Sequence, residues 1–214
     1  VVFAVEYIVK SQLYEKEPHH RIFNVGKHLG LVTAGLVADG RMLANEARDE
    51  AHSYEEMYGA PISVKGLNDR LSGFMHQYCV SYMGRPVGVS ALVGGYNEVD
   101  GAKLYMVEPS GTSWGYYGCA VGKGKQPARA EIEKLKTTDM TCAELVKEAA
   151  KIIYAVHDEV KDKHFDLFMS WVTKDTGGKH QLVPADVQAE AEAYAKAALE
   201  DDASDDSDDD DDAE

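Results

Sequence analysis

Residues 1–9, VVFAVEYIV, place apolar, largely β-branched or aromatic side chains at almost every position, and RIFNV (21–25) and HLGLVTAGLV (28–37) repeat the pattern around Pro18 and Gly26. Such runs bounded by turn residues predict three strands. The period then changes. Leu43, Ala47, Ala51 and Tyr54 recur every three or four residues, the spacing of one helix face, with Asp39 expected as its cap and Gly59-Ala60-Pro61 as its end. Ser63 caps a second helix that lines up Leu67, Leu71, Phe74, Met75 and Tyr78. Arg85-Pro86 breaks it, and 87–96, 102–108 and 112–122 predict a meander of antiparallel strands turning at Asp100-Gly101 and Pro109-Ser110-Gly111. Pro127 suits the first turn of a short helix carrying Ala130, Ile132 and Leu135. Thr141-Cys142-Ala143-Glu144 has the form of a capping box and opens a long helix running to Val160. Strands at 164–172 and 180–183, separated by Gly177-Gly178, and an alanine-rich helix from about Asp186 to Leu199 complete the pattern.

Helices segregated around antiparallel strands imply a layered α+β sandwich, one domain over residues 1–199. The 214 residues, 44% of them hydrophobic, are enough for a sizeable core. Net charge changes the picture only at one end. Of the formal −15, residues 200–214 supply eleven of the 37 acids and no base, leaving 26 acids against 22 bases, a net of −4, for the rest. That tail is too polar to bury surface and is expected to be disordered. A mildly acidic body argues against nucleic-acid binding, and Lys123, Lys125 and Arg129 read as a solvated turn and helix start. Cys79, Cys119 and Cys142 form no C-x-x-C pair, so a reducing compartment is expected. No run approaches a membrane span, and the given residues do not open on the basic-then-apolar pattern of a leader, so none is expected. Because VVFAVEYIV begins in mid-strand without a methionine, a preceding segment is expected to be missing.

GTSWG (111–115) matches the G-x-S-x-G pattern, but a nucleophile elbow needs a helix after the serine, and Trp114 to Val121 reads as strand. Ser113 is therefore expected to be structural. GCAVGKGK (118–125) lacks the spacing of a phosphate-binding loop and reads as a strand-to-helix turn. His157 and Asp158 stand about 100° apart on their helix, an exposed polar face rather than a metal site with His164. His19-His20 and His76 with Cys79 lack a second ligand pair, so neither metal nor cofactor is expected. Ser207, followed by Asp208 to Asp210, stands in the setting an acid-directed kinase would read, and Ser204 would join it once Ser207 carried phosphate; the alternative is an unmodified solvated tail.

Taken together, GLVADGR (35–41), RPVGVSALVGGY (85–96), DGAKLYMVEPSG (100–111), GYYGCAVGKGKQ (115–126), EIEKL (131–135), MTCAELVKEAAKIIYAVHDEVKDK (140–163) and SWV (170–172) resemble the α-type subunits of the proteasome core particle. KIIYAVHDEVKDK and the acidic, serine-containing tail point to one subtype within that family. The resemblance implies a four-layer αββα sandwich of the N-terminal-nucleophile hydrolase class, lacking here its gate tail and first strand. It also implies no catalysis: the catalytic β members use an N-terminal threonine, where this chain begins with Val1, and Tyr7 stands where most members of the wider family keep a lysine.

The implied role is scaffolding and gating in ATP- and ubiquitin-dependent protein degradation, in the cytoplasm and nucleus. Implied partners are the other α subunits of a seven-membered ring, the β ring and regulatory particles, with neither nucleic acid nor membrane. In the family, activator tails enter pockets built from a basic residue and, fourteen positions on, a Gly-Leu pair. Here these are Arg21, Gly35 and Leu36, with arginine where lysine is usual. The alternatives are a free-standing hydrolase using Ser113, a binding module for basic partners built on the acidic tail, and a catalytic β-type subunit.

Overall fold

A computed structural model describes residues 1–8, 13, 21–82, 84–158 and 164–200 in full, and 201–208 as backbone. Two antiparallel sheets lie at its centre. Strands β2 (Ile22–Val25), β3 (Leu29–Gly35), β4 (Val89–Asn97), β5 (Gly101–Val107) and β6 (Ser113–Gly115) form a five-stranded sheet in that order. Strands β1 (Val2–Ile8), β7 (Phe165–Val172) and β8 (His180–Leu182) form the other.

Alternation decides what each face buries. Leu29 and Leu31 on β3, and Val89, Ala91 and Val93 on β4, turn to α1 (Val37–Tyr58) and α2 (Val64–Val80), which return Leu43, Ala47, Leu67, Leu71 and Met75. These residues are almost fully buried, each large one contributing roughly 1.5–3 kcal/mol. The opposite faces meet through Phe3, Val5, Ile22 and Val32. Gly30 and Gly94, directly paired across β3 and β4, leave the recess that Phe3 fills; a Cβ on either would lie 2.7 Å from its ring. On the far side α4 (Cys142–Val156) and α5 (Ala185–Asp208) cover the smaller sheet with Val146, Ala150, Ala191 and Ala195. The layers are thus α, β, β, α, as expected. The short α3 (Lys125–Glu133) lies against α4.

Local signals held where local chemistry decides. Ser63 accepts from Gly66 N–H at 3.0 Å, and Thr141 and Glu144 form the reciprocal capping box. Four boundaries differ. Asp39 is not the cap: α1 opens at Leu36 without a side-chain cap, and the Asp39 carboxylate turns to Arg85 and Gly88, a charge-assisted alternative. The strand expected over 112–122 ends at Gly115, because Gly118 packs directly on Ile132 of α3 and draws the chain off the sheet. The helix expected to reach Val160 ends at Val156, with 159–163 outside the described residues. Conversely, α5 runs through Asp208, beyond Leu199 and into the acidic stretch. Residues 209–214 lie outside the described residues.

Candidate functional site

The three positions singled out for tail recognition come together where β3 gives way to α1. Arg21 enters β2, and β2 pairs with β3 so that Ile22 faces Val32; Arg21 Nη1 therefore reaches the Gly35 carbonyl at 3.2 Å and the Thr33 carbonyl at 3.4 Å. Gly35 adopts φ 136°, a conformation that side chains rarely accept, which turns the strand into the helix. Leu36 follows with 55% of its surface exposed, its N–H bonded to the Gly88 carbonyl at 3.0 Å. A basic group, an exposed apolar side chain and the positive end of a 22-residue helix thus meet in one place.

Beneath this junction Asp39, 7% exposed, accepts both guanidinium nitrogens of Arg85, at 2.6 and 2.8 Å, and the Gly88 N–H at 2.8 Å. The Arg85 hydrogen bonds first, and the Gly88 amide second, hold the Asp39 carboxyl down at about 2. Neither Asp39 nor Arg85 was singled out as a site residue. Their only signal lay in the GLVADGR and RPVGVSALVGGY segments, which do not announce that they meet.

The other chemical candidates disperse. Ser113 Oγ accepts from the Asn68 amide at 3.0 Å, and the turn before it is held by Ser72, which donates to the Gly111 carbonyl, and by His76, whose Nδ1 lies 3.3 Å from the Ser110 carbonyl. Among the described residues no base is hydrogen-bonded to Ser113, and the serine opens β6 instead of leading into a helix. Gly124 caps α3, and a Cβ there would collide with Val156, as one on Gly118 would with Ile132, while Gly122 makes a turn at φ 113°. His157 corrects the expected exposed face: its side chain is 5% exposed, with Nδ1 2.5 Å from Glu6 Oε1 and the ring tilted against Phe165, centroids 4.3 Å apart. The reason is tertiary, since β1 and β7 close over the end of α4. His19 and His20 lie outside the described residues, as do the side chains of Ser204 and Ser207, whose backbone belongs to α5. Burial pushes the Cys119 thiol up to about 12, far from a reactive thiolate.

One arrangement had no sequence signal at all. His180 Nε2 lies 2.9 Å from Ser170 Oγ, and Nδ1 bonds the Asn24 side-chain oxygen, the order of a nucleophile, base and orienting group. Ser170 has no exposed surface and His180 only 6%, so substrate has no access. The three tie the two sheets together.

The chain matches the family described as Proteasome subunit over residues 1–172. Among curated relatives, proteasome subunit alpha type-3 of Acanthamoeba castellanii is 52% identical over 94% of this chain and 79% of its own length. The corresponding rice protein, from Oryza sativa subsp. japonica, is 48% identical over 94% and 80%. The probable proteasome subunit alpha type-7 of Saccharomyces cerevisiae is 42% identical over 92% and 69%. With two antiparallel sheets between helical layers and alpha-type relatives along nearly its whole length, the chain belongs to the proteasome subunit family.

Proposed function

We propose that this chain is a noncatalytic subunit of the outer α ring of the proteasome core particle, which scaffolds the ring, shares in gating its pore and receives regulatory particles during ATP- and ubiquitin-dependent protein degradation. The observation that carries this reading is the identity to alpha type-3 subunits over 94% of the chain. Its mechanism is assembly rather than bond-making. Tyr7, where the wider family's lysine stands, sits edge-on to Phe168 at 5.9 Å, and Ser113 is held by an amide in place of a base.

Docking falls to Arg21, Gly35 and Leu36. A peptide carboxylate at this junction gains the Arg21 charge and the α1 N-terminus, while Leu36 offers apolar contact. Residence in the cytoplasm and nucleus follows from the same role; among the described residues no helix is long and apolar enough to cross a membrane. Phosphorylation of Ser204 and Ser207 would add charge near the already negative C-terminal end of α5 and unwind its last turns. Native mass spectrometry of the tagged protein from its own cells tests the reading: recovery within a core particle is expected, and recovery solely as a monomer would overturn it.

A further inference from the structure

Gly88 is bonded on both sides to the opening turn of α1. Its carbonyl receives the Leu36 N–H at 3.0 Å, and its own N–H donates to Asp39 Oδ2 at 2.8 Å. There is no slack between these backbones: a Cβ on Gly35 would collide with the Gly88 carbonyl, and one on Gly88 would lie 2.8 Å from Leu36 Cδ1. The position of Leu36 is therefore set by Gly88, and that of Gly88 by Asp39. Arg85 fixes Asp39 through two parallel bonds, and a third to the Pro86 carbonyl at 3.0 Å secures Arg85 itself.

Charge gives the arrangement a second consequence. A lone carboxylate in the first turn of α1 would occupy the favourable field of the helix N-terminus and repel an incoming anion. Arg85 cancels that charge, so Arg21, Asp39 and Arg85 together present one net positive charge, the complement of one peptide carboxylate. We propose that Asp39 and Arg85 are positioning residues for tail recognition: they touch no ligand, but through Gly88 they set Leu36 and the α1 N-terminus against Arg21 and neutralise the competing carboxylate. This rests on the reading that the junction at Arg21, Gly35 and Leu36 receives the C-terminal tails of regulatory particles.

The test uses intact core particles isolated through a tag on this chain and a photoreactive peptide carrying the C-terminal residues of a regulatory-particle subunit, with crosslinks to this chain counted by mass spectrometry. Arg85→Ala is expected to lower the yield at least fivefold while native mass spectrometry shows full assembly, and Arg85→Lys to recover part of the loss. Gly88→Ala keeps all three charged groups and crowds Leu36 Cδ1, at 2.8 Å, and Asp39 Oδ2, at 3.3 Å, so it too is expected to lower the yield. Where Arg85→Ala blocks assembly, the crosslink yields of Arg85→Lys and Gly88→Ala particles decide. Assembled Arg85→Ala or Gly88→Ala particles that crosslink like the wild type, while Arg21→Glu particles do not, would overturn the positioning role. An Arg21→Glu particle that crosslinks like the wild type would instead remove the docking reading beneath it.

Discussion

The β3–α1 junction at Gly35 and the turn from Pro109 to Ser113 are made of similar parts, a glycine at positive φ beside small side chains where a strand ends or begins, yet they are held in opposite ways. The turn is clasped by Asn68, Ser72 and His76, spaced four residues apart along one face of α2. The junction is framed by Arg21, Asp39 and Arg85, with an exposed leucine beside them. One glycine end turns its hydrogen-bonding side chains to its own fold. The other, among the described residues, bonds its Arg21 to carbonyl oxygens without a carboxylate and leaves apolar surface at Leu36 exposed. A familiar pattern such as G-x-S-x-G therefore says less about function than the direction in which charge is left over.

Replacing the two glycines probes this contrast most strongly. Gly35→Ala is expected to cost at least about 3 kcal/mol, since it combines strained φ with a collision against the Gly88 backbone. Gly111→Ala, at φ 85° and 2.7 Å from the His76 Cβ, is expected to cost about 2 kcal/mol. Urea midpoints of the two variants give the order, and a larger loss at Gly111 would break the comparison.

Asp39→Asn comes next, at on the order of 1–2 kcal/mol after allowance for screening at the exposed Arg85. The same pair predicts a pH dependence. Because the folded state lowers the Asp39 carboxyl from its ordinary 3.8 to about 2, its stabilisation is complete above 3.8 and is lost as pH falls from there through about 2. Acid titration of the wild type should show this loss, and the Asn variant should lack that component. On the turn from Pro109 to Ser113 the effects are smaller. Asn68→Ala should cost about 1 kcal/mol by the same denaturation assay, and Ser113→Ala less than about 0.5 kcal/mol.

The capping box at Thr141 and the cap at Ser63 were legible because donor and acceptor lie three residues apart. So were the layers, since alternation along β3 and β4 and the helical spacing of Leu67, Leu71 and Met75 are properties of single segments. Asp39 was misread as a cap because the groups that claim it, Arg85 and Gly88, lie 46 and 49 residues away. His157 looked exposed for a like reason, its partner Glu6 being 151 residues distant. At the junction, Arg21 and Gly35 were legible only through resemblance. Nothing local to either says that β2 and β3 will pair in the register that lets them touch.

The division of labour between the two glycine ends is tested most directly in core particles isolated with Arg21→Glu or Ser113→Ala in this chain, by the hydrolysis of a fluorogenic peptide with and without a regulatory particle. Arg21→Glu should reduce the activator-dependent stimulation and leave unstimulated hydrolysis intact, while Ser113→Ala should match the wild type in both. Full stimulation with Arg21→Glu, or loss of hydrolysis with Ser113→Ala, would contradict the assignment of docking to the first end and mere structure to the second.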